Sequence, residues 1–172
     1  MNAADIIIAL SVRGHTVATA ESLTGGLLCA ILTSVPGASA VVRGGVVAYA
    51  VDIKANVLNV DAELLARHGA VDPVVAVHMA VAVRHLFGAT YGVATTGSAG
   101  PDPDPGGTLT GPVPPGRGFV AVAGPDGDVV IGFDHPDRDR EGVRQGAIEA
   151  ALTALRRSLD GPHGTDDRRA SG

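Results

Sequence analysis

TVATAESLTGG, residues 16–26, passes from a β-branched run into a polar corner closed by two glycines. Thr16–Ala20 reads as a short buried strand. From Thr24 to Ser34, the apolar residues Leu27, Leu28, Ile31 and Leu32 recur at helical spacing, and Pro36-Gly37 supplies the stop. A strand that feeds a helix in this way is the repeating unit of layered α/β domains. Ser22 stands at the junction, where a serine is either the helix N-cap or a nucleophile at a helix N-terminus. Local sequence alone favours the cap.

The rhythm continues on both sides. Ile6, Ile7, Ala9 and Leu10 predict a helix ending near Arg13-Gly14, and Gly44–Val51 a second strand. Lys54–Leu58 and Asp61–His68 read as short helical pieces, and Asp72-Pro73 opens a longer helix to Phe87. Thr90–Thr95, Gly118–Ala123 and Val129–Phe133 read as strands, the last two flanking the hairpin signal Gly124-Pro125-Asp126-Gly127. A final helix spans Asp139–Leu159. The expectation is one α/β domain over residues 1–160, a mixed β-sheet of about five strands flanked by helices, because a closing hairpin must be antiparallel. Residues 161–172 read as a disordered tail. Residues 101–117, PDPDPGGTLTGPVPPGR, have no helical or strand period; a loop this long is usually functional or disordered.

Composition narrows the function. The net charge of −5 and the lack of a basic stripe argue against nucleic-acid binding, whose affinity comes from Lys and Arg at phosphates. Aromatic residues make up only 3%, and an interior of Ala, Val and Leu favours close helix-on-sheet packing. Cys29 is the single cysteine, so no internal disulfide can form and a reducing cytoplasm fits. No secretory signal opens the chain. Ser22–Val42 is uncharged, but its Gly, Pro, Ser and Thr residues divide it, and no membrane span is expected. The histidines are scattered, with His78 and His85 seven apart rather than at metal-pair spacing, so no metal is expected.

Four places carry candidate chemistry. The corner at Thr24, Gly25 and Gly26 offers backbone N–H groups to an anion or an oxyanion. Lys54 is the only lysine in the chain, every other basic side chain being Arg. A serine nucleophile needs a base, no suitable histidine lies near any motif, and a buried lysine whose pKa falls to about 7–8 can serve. The rival reading of Lys54 is a solvated surface lysine. TTGSAGP, residues 95–101, ends a strand where ligands gather in open α/β sheets, or is merely a tight turn. Arg140 and Arg144 share one face of the last helix and would meet a substrate phosphate, a partner's carboxylate, or the nearby Asp137, Asp139 and Glu141.

Together, TVATAESLTGG (16–26), LTSVPGASA (32–40), GGVVAYAVDIK (44–54), LLARHGAV (64–71), TTGSAGP (95–101) and DREGVR (139–144) resemble the C-terminal domain of the CinA (competence/damage-inducible) family, the nicotinamide-nucleotide amidohydrolases also called PncC. The resemblance implies deamidation of nicotinamide mononucleotide to nicotinate mononucleotide and ammonia, a step of pyridine-nucleotide salvage, without metal or cofactor. It further implies a Ser–Lys site in a homodimer or higher homo-oligomer. Ser22 falls on the family's motif serine, Tyr49 on its strand tyrosine, Lys54 on its lysine, and Thr96 and Gly97 on its threonine-glycine pair. Family members often carry a larger N-terminal domain with a nucleotide-hydrolysing activity; this chain starts at the amidase domain's first helix, so that activity is expected to be absent. The sequence departs from the family at Leu23 (usually Cys), Ala50-Val51 (usually a polar pair), Ser98 (usually Ile) and in its longer, Pro-rich loop. These departures leave two rivals: a non-catalytic or altered-specificity nucleotide-binding or interaction module of the same fold, and an amidase acting on another pyridine nucleotide or amide.

Overall fold

Strand and helix propensities alternate along the chain, and the computed structural model, which describes residues 2–161, turns them into one α/β domain. The elements are α1 (Ala3–Arg13), β1 (Val17–Glu21), α2 (Leu27–Thr33), a 3₁₀ turn (Ala38–Ala40), β2 (Val42–Val47), α3 (Val51–Asn56), α4 (Ala62–His68), α5 (Pro73–Leu86), β3 (Tyr91–Gly97), β4 (Arg117–Gly124), β5 (Gly127–Asp134) and α6 (Arg140–Asp160). Except for Gly161, the expected tail lies outside the described residues.

The strands form one five-stranded mixed sheet in the order β2-β1-β3-β4-β5. β1 runs parallel to both β2 and β3, while β3–β4 and β4–β5 are antiparallel, the latter closed at Gly124–Gly127 as expected. Alternation of side-chain size divides the core between the two faces of the sheet. Val17, Tyr91, Val93, Val120 and Val122 face α1, α2 and α6, meeting Ile6, Leu10, Leu28, Ile148 and Leu155. Ala18, Ala20, Ala94, Ala121 and Ala123 face α5, meeting Val75, Met79 and Val83. A face of alanines lets a helix approach closely. At Gly92 the approach is complete: a Cβ there would run into the Ala80 carbonyl oxygen.

Three boundaries differ from the sequence expectation by three residues or more. β2 ends at Val47 rather than Val51, because its only neighbour, β1, ends at Glu21, the register partner of Val47. α3 accordingly starts at Val51, three residues before Lys54. α2 starts at Leu27 rather than Thr24, because Gly25 and Gly26 take positive φ (61° and 94°) and turn the chain before it can coil.

The Pro-rich segment is fastened to the end of α4. The amides of Thr108 and Leu109 donate to the carbonyls of Ala66 (3.1 Å) and Arg67 (2.8 Å), and the Thr110 hydroxyl to that of His68 (2.9 Å). These donors satisfy carbonyls that a helix C-terminus otherwise leaves open. Gly69, Gly106 and Gly107 meet backbone to backbone, at distances a side chain would forbid.

Candidate active site

Parallel strands bring their C-terminal ends to one edge of the sheet, where ligands of open α/β folds bind. Here the ends of β1, β2 and β3 present Ser22, the Ala48-Tyr49 carbonyls and Gly97. The chain then delivers Lys54 from the last turn of α3 into the same place. Its side chain is fully buried (0% exposed), with Nζ 3.0 Å from Ser22 Oγ, 2.7 Å from the Ala48 carbonyl oxygen and 3.4 Å from that of Tyr49. The surface-lysine reading is therefore excluded. Burial lowers the Lys54 pKa from 10.5 to about 8, against the opposing field of Asp104.

The geometry suits both protonation states. As an ammonium, Lys54 donates to all three oxygens. As an amine it keeps two protons for the two carbonyls and turns its lone pair to the Ser22 hydroxyl, which then donates. Ser22 is itself buried, and its amide donates to the Thr95 carbonyl at 2.9 Å, so the hydroxyl is held by the sheet rather than by a mobile turn. Ser22 is not a helix cap: Gly26 occupies that position, with no side-chain cap bond.

The corner after Ser22 departs from expectation because its amides are already committed. Gly25 donates to the Ser22 carbonyl at 3.0 Å, and Gly26 to Glu21 Oε2 at 2.9 Å. The same buried carboxylate accepts from the amides of Leu28 (3.0 Å) and Cys29 (2.8 Å) and from the Thr19 hydroxyl (3.2 Å). Glu21 thus takes the place at the start of α2 that was expected for an anionic ligand. Its sequence signal was a glutamate preceding a Gly-Gly turn, and it acquires this role only because the turn folds back onto it.

A cleft of about 270 Å³ opens over the pair, lined by Ser22, Leu23, Tyr49, Lys54, Gly97–Gly100, Asp102–Pro105 and Arg140, among others. Arg140, exposed in the first turn of α6, clasps its mouth: Nη2 donates to the Tyr49 hydroxyl (2.7 Å) and Nη1 to the Gly100 carbonyl (2.8 Å). The remaining expected residues do not line the cleft. Arg144 donates to the Thr24 carbonyl (3.0 Å) and pairs with Glu141 (2.7 Å). Thr24 is buried and shares a hydrogen bond of 2.7 Å with Thr95. The Thr96 hydroxyl donates to the carbonyl of Ala70, itself a lining residue. Of the expected site residues, Ser22, Tyr49, Lys54, Gly97 and Arg140 line the cleft; Thr24, Gly25, Gly26, Thr96 and Arg144 do not.

A larger groove of about 570 Å³ lies between Val57–Asn59 and the outer face of α5, lined by His78 and His85. It holds no nucleophile paired with a base, and among the described residues no three His, Cys, Asp or Glu side chains gather as metal ligands. Nor, among the described residues, is any helix long and apolar enough to cross a membrane.

Comparison with known proteins gives a consistent result. The sequence profile described as the CinA C-terminal domain matches residues 2–159. A CinA-like protein of Frankia casuarinae is 49% identical over 152 residues, covering 87% of this chain and 33% of the relative. One from Anaeromyxobacter dehalogenans (strain 2CP-1) is 50% identical over 157 residues, covering 90% and 37%. The chain therefore spans about a third of the length of these curated relatives. Among solved structures, the competence/damage inducible protein CihA of Agrobacterium tumefaciens superimposes with a TM-score of 0.80 at 36% identity, over 90% of this chain and 93% of that one. The competence damage-inducible protein A (ComA) of Klebsiella pneumoniae gives 0.79 at 33% identity, over 90% and 95%.

Proposed function

The chain belongs to the CinA C-terminal domain family, and we propose that it is an amidohydrolase that deamidates nicotinamide mononucleotide through Ser22 and Lys54. The observation that carries this reading is a buried amine with a depressed pKa, 3.0 Å from a buried hydroxyl at the floor of a cleft. Desolvation leaves Lys54 substantially neutral at slightly alkaline pH, as a general base requires.

In the proposed reaction, Lys54 takes the Ser22 proton as Oγ attacks the carboxamide carbon. The tetrahedral intermediate collapses, its C–N bond breaks, and the Lys54 ammonium returns the proton to the departing ammonia. A water molecule, deprotonated by Lys54, then attacks the acyl-enzyme and releases the carboxylic acid with restoration of the Ser22 hydroxyl. With the Gly25 and Gly26 amides committed, the oxyanion falls to donors inside the cleft, and we assign it to the main chain of two lining residues, Leu23 and Gly97. Tyr49 and Arg140, joined at the mouth, orient the nucleotide portion, with the guanidinium as the anion-binding group there. We place this chemistry in the cytoplasm, in a homodimer or higher homo-oligomer; the single cysteine suits a reducing compartment.

The test is ammonia release from nicotinamide mononucleotide by the purified chain and by Ser22→Ala. Turnover by the wild type that disappears in the variant supports the reading. No release from the wild type leaves the non-catalytic module, and full activity in Ser22→Ala removes Ser22 from the mechanism.

A further inference from the structure

The Pro-rich loop brings two carboxylates, Asp102 and Asp104, to the cleft that holds Ser22 and Lys54. Neither forms an ion pair among the described residues. The one arginine lining the cleft, Arg140, donates instead to Tyr49 and Gly100. Of the two, Asp104 is the more firmly held. Its backbone is bridged to Val113 in both directions (3.0 and 2.9 Å), and its Oδ1 accepts from the Gly106 amide at 2.9 Å. The segment that follows is fastened to α4, so the carboxylate is fixed relative to the reacting pair. Oδ2 has no hydrogen-bond partner among the described residues.

This placement has an electrostatic consequence. The field of Asp104 reaches Lys54 and favours the ammonium, opposing the burial that makes Lys54 a base. A fixed carboxylate in the same cleft as a lysine that must be neutral hinders an empty site. It ceases to do so once a ligand brings its own positive charge against it. A cation there is attracted to Asp104, cancels the field that holds the proton on Lys54, and itself disfavours a second positive charge nearby. We propose that Asp104 is a specificity residue that receives a positively charged, N-substituted pyridinium ring, so that the cleft selects cationic aromatic amides over neutral ones of the same shape. This inference rests on the amidase reading for the orientation of the ring, but its test does not require turnover.

The test is calorimetric binding of nicotinamide mononucleotide and its reduced dihydropyridine form, nearly the same molecule with an uncharged ring, to the Ser22→Ala protein. The oxidised form should bind at least about tenfold tighter. Asp104→Asn keeps the Oδ1 acceptor for Gly106 and removes only the charge. In the Ser22→Ala/Asp104→Asn protein the preference should shrink to within about threefold, through weaker binding of the oxidised form alone. An unchanged preference, equal weakening of both forms, or no binding of either would overturn the proposal. Failure of the wild type to release ammonia, by contrast, would strike the amidase reading and leave this measurement standing.

Discussion

Lys54 sets the behaviour of the site. Its folded pKa of about 8 lies below the 10.5 of an exposed amine, so between those values the unfolded chain binds more protons than the native one. Stability therefore rises as pH climbs through that interval, and below about 8 the native state carries the full penalty of a buried charge, on the order of 3 kcal/mol. Lys54→Met, which keeps the volume and drops the charge, should lower turnover by about a hundredfold or more while holding or raising Tm at pH 7. A Tm that falls together with activity would mean that the amine is structural. For the wild type, kcat/KM should rise with pH to a plateau with a midpoint near 8, as the amine loses its proton. A flat profile between pH 7 and 9 would exclude Lys54 as the base.

At the level of elements, the sequence disclosed the order of strands and helices and left the junctions open. Alternation of Val and Ala along β1, β3 and β4 is visible in the sequence, yet only the packed sheet reveals that the alanines all face α5. Gly92→Ala should thus cost about 2 kcal/mol or more, read as a drop in Tm, because its Cβ meets backbone that cannot move aside. Ser22 and Lys54 were legible as candidates because one follows a strand and the other is the sole lysine. That they touch was not, since 32 residues separate them and no local pattern encodes such a contact. The role of Glu21 was not legible because three of its four partners are backbone amides, which leave no mark in a sequence. Glu21→Ala should destabilise the protein by about 3 kcal/mol, by denying one buried and two half-buried amides their acceptor. Glu21→Gln, which retains one acceptor, should lose less. Equal Tm values for both variants and the wild type would deny the carboxylate any part in starting α2.

Across the whole molecule, the segment that looked least structured in the sequence, residues 101–117, links two regions: it walls the cleft and closes the open end of α4. Replacing residues 102–112 with a short glycine linker should therefore raise KM and lower Tm together. A purely mobile flap would raise KM alone, and an unchanged KM would show that the loop takes no part in binding. The clasp at the cleft mouth has a consequence of another kind. Arg140 and Tyr49 stand 91 positions apart, and Arg140 comes from the last helix described. During synthesis, the hydroxyl and its base can emerge from the ribosome long before the partner that covers them. The cleft is completed on that side only when the final helix docks, so on the amidase reading a nascent polypeptide would hold the Ser22–Lys54 pair before it holds a finished binding site.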